Sequence, residues 1–187
     1  MPYLLRAIIV CSAASLFYIY DFILRVMPSA MAHDLMTHFN VNATGFGTIS
    51  ALFFYGYASM QIPAGALFDR FSIRAFMSSM AAVATISVLF FGFTHNAIVA
   101  SAARFFMGFT SAFAYTGALA IGAIWFSARH FSFYAGLVQV LGCVGAIVGA
   151  GPVAYMTSHY GWQQTMIYVA LLGVVITLLM WALIRAK

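Results

Sequence analysis

The chain has 187 residues, of which 65% are hydrophobic and 6% charged, with a mean hydropathy of +1.01. Soluble domains carry roughly 25% charged residues, so this inventory excludes a water-exposed globular surface and points to an all-α polytopic membrane protein. The formal net charge of +5 arises from 8 Lys and Arg without a basic run, which argues against a nucleic-acid partner.

Six apolar segments reach the roughly 20 residues that a helix needs to cross a bilayer, and they are expected to form one bundle with no soluble domain. The first covers about 7–31 and carries two charges, Asp21 and Arg25. A connection follows in which Leu35, Met36 and Phe39 suggest a short interfacial turn of helix. Asn42-Ala43-Thr44 has the form of a glycosylation sequon, a pattern common by chance. The second span covers about 45–68 and the third about 74–93, with a tight charged turn between them. The fourth, about 97–121, contains Arg104; the fifth, about 133–156, contains Gln139 and a run of glycines; the sixth covers about 165–184. Cys11 and Cys143 lie in separate apolar runs and read as packed thiols. His33, His38, His95 and His159 are dispersed over the connections without metal-ligand spacing, so neither a metal nor a cofactor is expected.

Basic residues alternate between connections. Arg6 precedes the first span, Arg70 and Arg74 lie between the second and third, Arg129 between the fourth and fifth, and Arg185 and Lys187 after the sixth. The intervening connections have no Lys or Arg, so the positive-inside rule puts both termini in the cytoplasm, with the protein in the plasma (inner) membrane. Trp125 and Trp162 flank spans as interfacial anchors would.

The turn between spans two and three reads "GALFDRFSIR", Gly65 to Arg74. Asp69, Arg70 and Arg74 are close enough to pair, and Gly65, one turn before Asp69, would allow a close backbone approach. This stretch resembles the signature loop of the major facilitator superfamily, Gly-x-Leu-x-Asp-Arg-x-Gly-x-Arg, with Ser72 in place of the second Gly. "YGYASMQIPAG" before it is similar to that family's second helix, and "ARFFMGFTSAFA" carries the fourth-helix Arg-x-x-x-Gly pattern in Arg104 and Gly108. "GCVGAIVGAGPVA" and "YGWQQTMIYVALLG" are similar to its fifth helix and to the start of its sixth. The resemblance implies a secondary active transporter, not an enzyme, built from two six-helix halves with about twelve spans in all. It implies that Gly65, Asp69, Arg70 and Arg74 serve a conformational latch, that a second six-helix half is the expected partner, and that this chain is an N-terminal half. An inactive truncated remnant, or a non-transporting membrane interaction subunit, is the competing expectation.

Charge inside a bilayer is costly and marks function. Asp21 and Arg25 are four residues apart on one helical face, acid first, the favourable order for self-neutralisation. At about 1.5 Å per residue, Arg25 and Arg104 fall at similar depths near the outer side. Two arginines at one level would accommodate an anion, and Arg grips a carboxylate bidentately. The reading is that both face a cavity for a small polar solute, an organic anion, with Asp21 as a candidate proton carrier of a symporter. Tyr20, Tyr57 and Gln61 are further candidate lining residues, beside Tyr18 and Tyr55. Gly142, Gly145 and Gly149 have the small-residue spacing of a helix-packing face, and Pro152 after Gly151 would add a kink.

Overall fold

The computed structural model describes residues 2–184, so Arg185 and Lys187 lie outside the described residues. All regular structure among them is helical: α1 (Pro2–Ala30), α2 (Ala32–Phe39), α3 (Ala43–Arg70), α4 (Ile73–Phe93), α5 (Ala97–Trp125), α6 (Ala128–Ala150), α7 (Pro152–Tyr160) and α8 (Trp162–Leu183). Five stretches are long and apolar enough to cross a membrane, with α6 and α7 forming one of them. The expected second span, α3, has 28 residues but is rich in Gly, Ser and Tyr, and it falls short on apolarity rather than length. The fourth span runs four residues further than expected, to Trp125, and the fifth starts at Ala128 instead of 133. It breaks at Gly151 because Pro152 has no N–H with which to continue the ladder.

Local chemistry sets the ends. Asn42, read above within a sequon, caps α3: its side-chain oxygen accepts from the Gly45 N–H at 2.9 Å. Asn96 caps α5 in the same way through the Ile98 N–H at 2.8 Å. Asn40 ends α2 in the left-handed region, with φ of 50°.

Lipid is as apolar as leucine, so close packing rather than hydrophobic burial must join these helices. The main pairs are α3 on α5, α1 on α6 and α4 on α8, and α5 also packs against α4 and α1. Glycines permit the closest crossings. A Cβ at Gly56 would overlap the Phe105 carbonyl oxygen, and one at Gly108 the Phe53 carbonyl oxygen, so α3 and α5 meet backbone to backbone. Gly142, Gly145 and Gly149 line the face of α6 on α1: Gly142 meets the rings of Tyr18 and Phe22, Gly145 the Ile19 carbonyl and Gly149 the Ile23 backbone. Gly65 has nothing within 4 Å of where a Cβ would sit, contrary to the close approach expected there.

The amphipathic α2 lies over one end of the bundle, beside the end of α4 and the start of α8. Leu35 and Phe39 are buried, and Phe39 meets the rings of Phe91 and Trp162. His38 Nε2 is 3.0 Å from the Thr94 carbonyl oxygen, and its ring lies 4.7 Å from those of both His95 and Trp162. Two expectations change here. His38 and His95 are not dispersed, and Trp162 is buried under α2 instead of anchoring an interface.

Candidate solute-binding site

Asp21 and Arg25 form the one ion pair among the described residues, Arg25 Nη2 to Asp21 Oδ2 at 3.0 Å. The i,i+4 spacing on α1 makes the pair local, but the surroundings make it unequal. The Asp21 side chain is fully enclosed, whereas that of Arg25 is 21% exposed. The Arg25 guanidinium carbon lies 4.6 Å from the Phe22 ring centroid, 4.7 Å from that of Tyr57 and 5.7 Å from that of Phe53. Ring faces attract a cation, so three aromatics and a carboxylate hold this group while part of it stays open.

Arg104 is arranged differently. It is buried, and its Nη1 donates to the Leu24 carbonyl oxygen at 2.7 Å, with the Met107 sulfur 3.6 Å away. Its guanidinium carbon is 4.7 Å from the Phe53 ring centroid. Both arginines thus approach the Phe53 ring, but only Arg25 has an exposed side while Arg104 is buried. Arg104 is packed against two helices, reaching Leu24 of α1 and the Phe53 ring of α3, and Gly108, one turn later, meets the Phe53 backbone.

Tyr57 stands at Arg25, and Gln61 follows one turn later on α3, exposed. Tyr20 does not join them. It is buried toward α4 and α8, where a Cβ on Gly173 would lie 2.5 Å from its hydroxyl. A polar seam instead runs down α1 toward α6: Tyr18 donates its hydroxyl to Gln139 Oε1 at 3.1 Å, and its ring lies 5.1 Å from that of Tyr115. Tyr18→Phe is expected to cost about 0.6 kcal/mol, the usual worth of an interhelical hydrogen bond in a membrane, measured as a small drop in unfolding temperature in detergent. Phe22, Phe53 and Tyr115 were not singled out from the sequence. The i,i+4 series Phe53, Tyr57 and Gln61 on α3 is the signal that would have found Phe53.

At the opposite end, Asp69 and Arg70 are exposed, and neither pairs with a charged group among the described residues. Arg74 does not turn to Asp69, because the chain breaks between α3 and α4 at Phe71 and Ser72. Its guanidinium carbon lies 4.5 Å from the Trp181 ring of α8.

The Major Facilitator Superfamily profile matches residues 9–187. The chain belongs to the Major Facilitator Superfamily. It is thus an integral membrane protein of a transporter superfamily. It is 25% identical to the uncharacterized transporter YybO of Bacillus subtilis over 84% of its own length. It is 28% identical to the probable galactarate/D-glucarate transporter GudP of Escherichia coli over 82% of its length, and 22% identical to the probable sulfoacetate transporter SauU of Cupriavidus necator over 88%. The match spans 36%, 35% and 38% of those three relatives. A bacterial homolog of the human lysosomal transporter Spinster, solved inward-facing and unoccupied, superposes with a TM-score of 0.85 at 19% identity, over 96% of this chain and 43% of that one. That likeness establishes the superfamily half-fold.

Proposed function

We propose that this chain forms the N-terminal six-helix half of a secondary transporter that carries a small organic anion by alternating access. The observation that carries this reading is Arg25: a cation inside a span, held by Asp21 and three ring faces yet partly open. Such a group can exchange the carboxylate of Asp21 for that of a solute without leaving its aromatic frame. Two relatives are named for organic anions, galactarate/D-glucarate and sulfoacetate, which favours the same class. Asp21, released from Arg25 when a solute anion binds, would take up a proton, giving symport. Gln61 and Tyr57 would contribute polar contacts beside Arg25.

A second half is the natural partner of α3. Beside Phe54 and Ile62 its exposed residues include Tyr55, Ser59, Gln61, Gly65 and Asp69, whereas the later part of α8, after Gln163, Gln164 and Tyr168, exposes Leu171, Leu172, Val175 and Leu178. Lipid suits the second set; protein or water suits the first. Asp69 and Arg70, exposed beyond the end of that face, would act in the latch with groups of the second half, and Arg74 would brace the turn from α8. The distribution of Arg6, Arg70, Arg74 and Arg129 supports cytoplasmic termini in the plasma membrane.

The test is uptake of D-glucarate and of sulfoacetate by the complete transporter in proteoliposomes under an inward proton gradient. Concentrative uptake of either is expected, with Arg25→Lys slowing it at least about tenfold, because a point charge loses the bidentate grip. Asp21→Asn is expected to abolish accumulation driven by the proton gradient while leaving solute exchange. Uptake unchanged by Arg25→Lys would overturn the assignment of Arg25.

A further inference from the structure

We infer that Arg104 supplies the hydrogen bond that Pro28 removes from α1, and that it thereby fixes the peptide group carrying Arg25. In an α-helix the carbonyl of residue 24 accepts from the N–H of residue 28. Residue 28 is proline, inside α1 and without an N–H, so the Leu24 carbonyl has no donor at its helical position. A backbone carbonyl left without a donor at membrane depth is costly, and neighbouring helices commonly provide the replacement. Arg104 Nη1 reaches this same oxygen at 2.7 Å from α5, eighty residues away in sequence.

The remaining contacts of Arg104 fit a donor post better than a solute ligand. The residue is 1% exposed, its cation rests on the Phe53 ring, and no carboxylate pairs with it among the described residues. The Leu24 carbonyl and the Arg25 N–H belong to one planar peptide unit. A donor gripping the first half of that unit sets the orientation of the second. Arg104 is thus a positioning residue for Arg25, acting through the backbone, and any shift of α5 along α1 would be passed directly to the pair formed by Arg25 and Asp21.

This deepens the anion-site reading, in which Arg25 is the ligand group, but its test needs no solute. The full chain is purified in detergent as wild type, Pro28→Ala, Arg104→Met and the double variant, and unfolding temperatures are compared. The Pro28→Ala change restores an N–H for the Leu24 carbonyl. Arg104→Met, which has no donor, should therefore lower the midpoint clearly beside Pro28, and the drop should shrink by about half or more in the Pro28→Ala background. Arg104→Lys, which keeps a donor, should recover part of the loss only when residue 28 is proline. An equal drop in both backgrounds would overturn the inference.

Should Arg104→Met give no folded protein in either background, spectra of the [15N]arginine-labelled chain decide. In the wild type the held Nη group of Arg104 is expected to rotate slowly and give a resolved signal. Pro28→Ala should broaden or shift it and should also move the Arg25 signal. Spectra of Arg104 and Arg25 that are indifferent to Pro28→Ala would refute both the replacement and the positioning role. Absence of glucarate or sulfoacetate uptake would leave these results standing, so the two readings fail separately.

Discussion

Gly108→Val is expected to abolish the folded bundle or to lower its stability by about 3 kcal/mol, the upper end of the usual cost of overpacking. The reason is what lies opposite. A Cβ at residue 108 would overlap the Phe53 carbonyl oxygen and sit 2.6 Å from its carbon. A side chain in that position can rotate away, but a backbone carbonyl cannot move without moving α3. Gly56 faces the same crossing from the other side, against the Phe105 carbonyl and 2.9 Å from the Phe109 nitrogen, so sliding the helices relieves one clash only by worsening the other. Gly136→Val is the control. That glycine has nothing within 4 Å of a Cβ, and its variant should stay within about 0.5 kcal/mol of wild type. The yield of monodisperse protein and its unfolding midpoint in detergent are the measurements. A Gly108→Val protein as stable as the control would show that α3 and α5 do not cross here.

Arg25→Gln is expected to destabilise the protein by about 3–5 kcal/mol, the cost of removing one partner of a buried ion pair. Asp21→Asn should cost much less. The asymmetry follows from exposure: the Asp21 side chain is fully enclosed, so losing Arg25 strands a carboxylate at any pH high enough to keep Asp21 from taking up a proton, whereas Arg25 keeps an open side and three ring faces when Asp21 is neutralised. The decisive protein is the double variant Asp21→Asn with Arg25→Gln, which carries no stranded charge. It should regain most of the stability lost in Arg25→Gln, and unfolding of all four proteins side by side provides the coupling directly. Equal costs for the two single variants would mean that burial does not govern this pair.

The helical spans were legible because lipid leaves few options: a long apolar run must close its own hydrogen bonds. The packing of Gly142, Gly145 and Gly149 on α1 was legible too, since spacings of three and four mark one helical face. Helix rotation was harder to read. Tyr20 and Tyr57 look alike as polar aromatics, yet Tyr20 lies five residues from Arg25, well off its face at 3.6 residues per turn. Applying that periodicity to α1 would have kept Tyr18 and set Tyr20 aside. Arg104 misled for a different reason. A membrane arginine suggests a wet cavity, but Gly108 on the same face signals tight packing, and the partner of Arg104 is a carbonyl whose availability depends on Pro28 in another helix. The approach of His38 to His95 is a purely tertiary result.

The strap formed by α2 bears on how such a body can move. It binds the C-terminal end of α1, which it follows directly, to Phe91 of α4, to Thr94 before α5, and to Trp162 at the start of α8. Rods joined at one rim cannot splay there individually. A load applied along α3 would then reach these joined helices together, so that the bundle turns as one body instead of bending one member at a time.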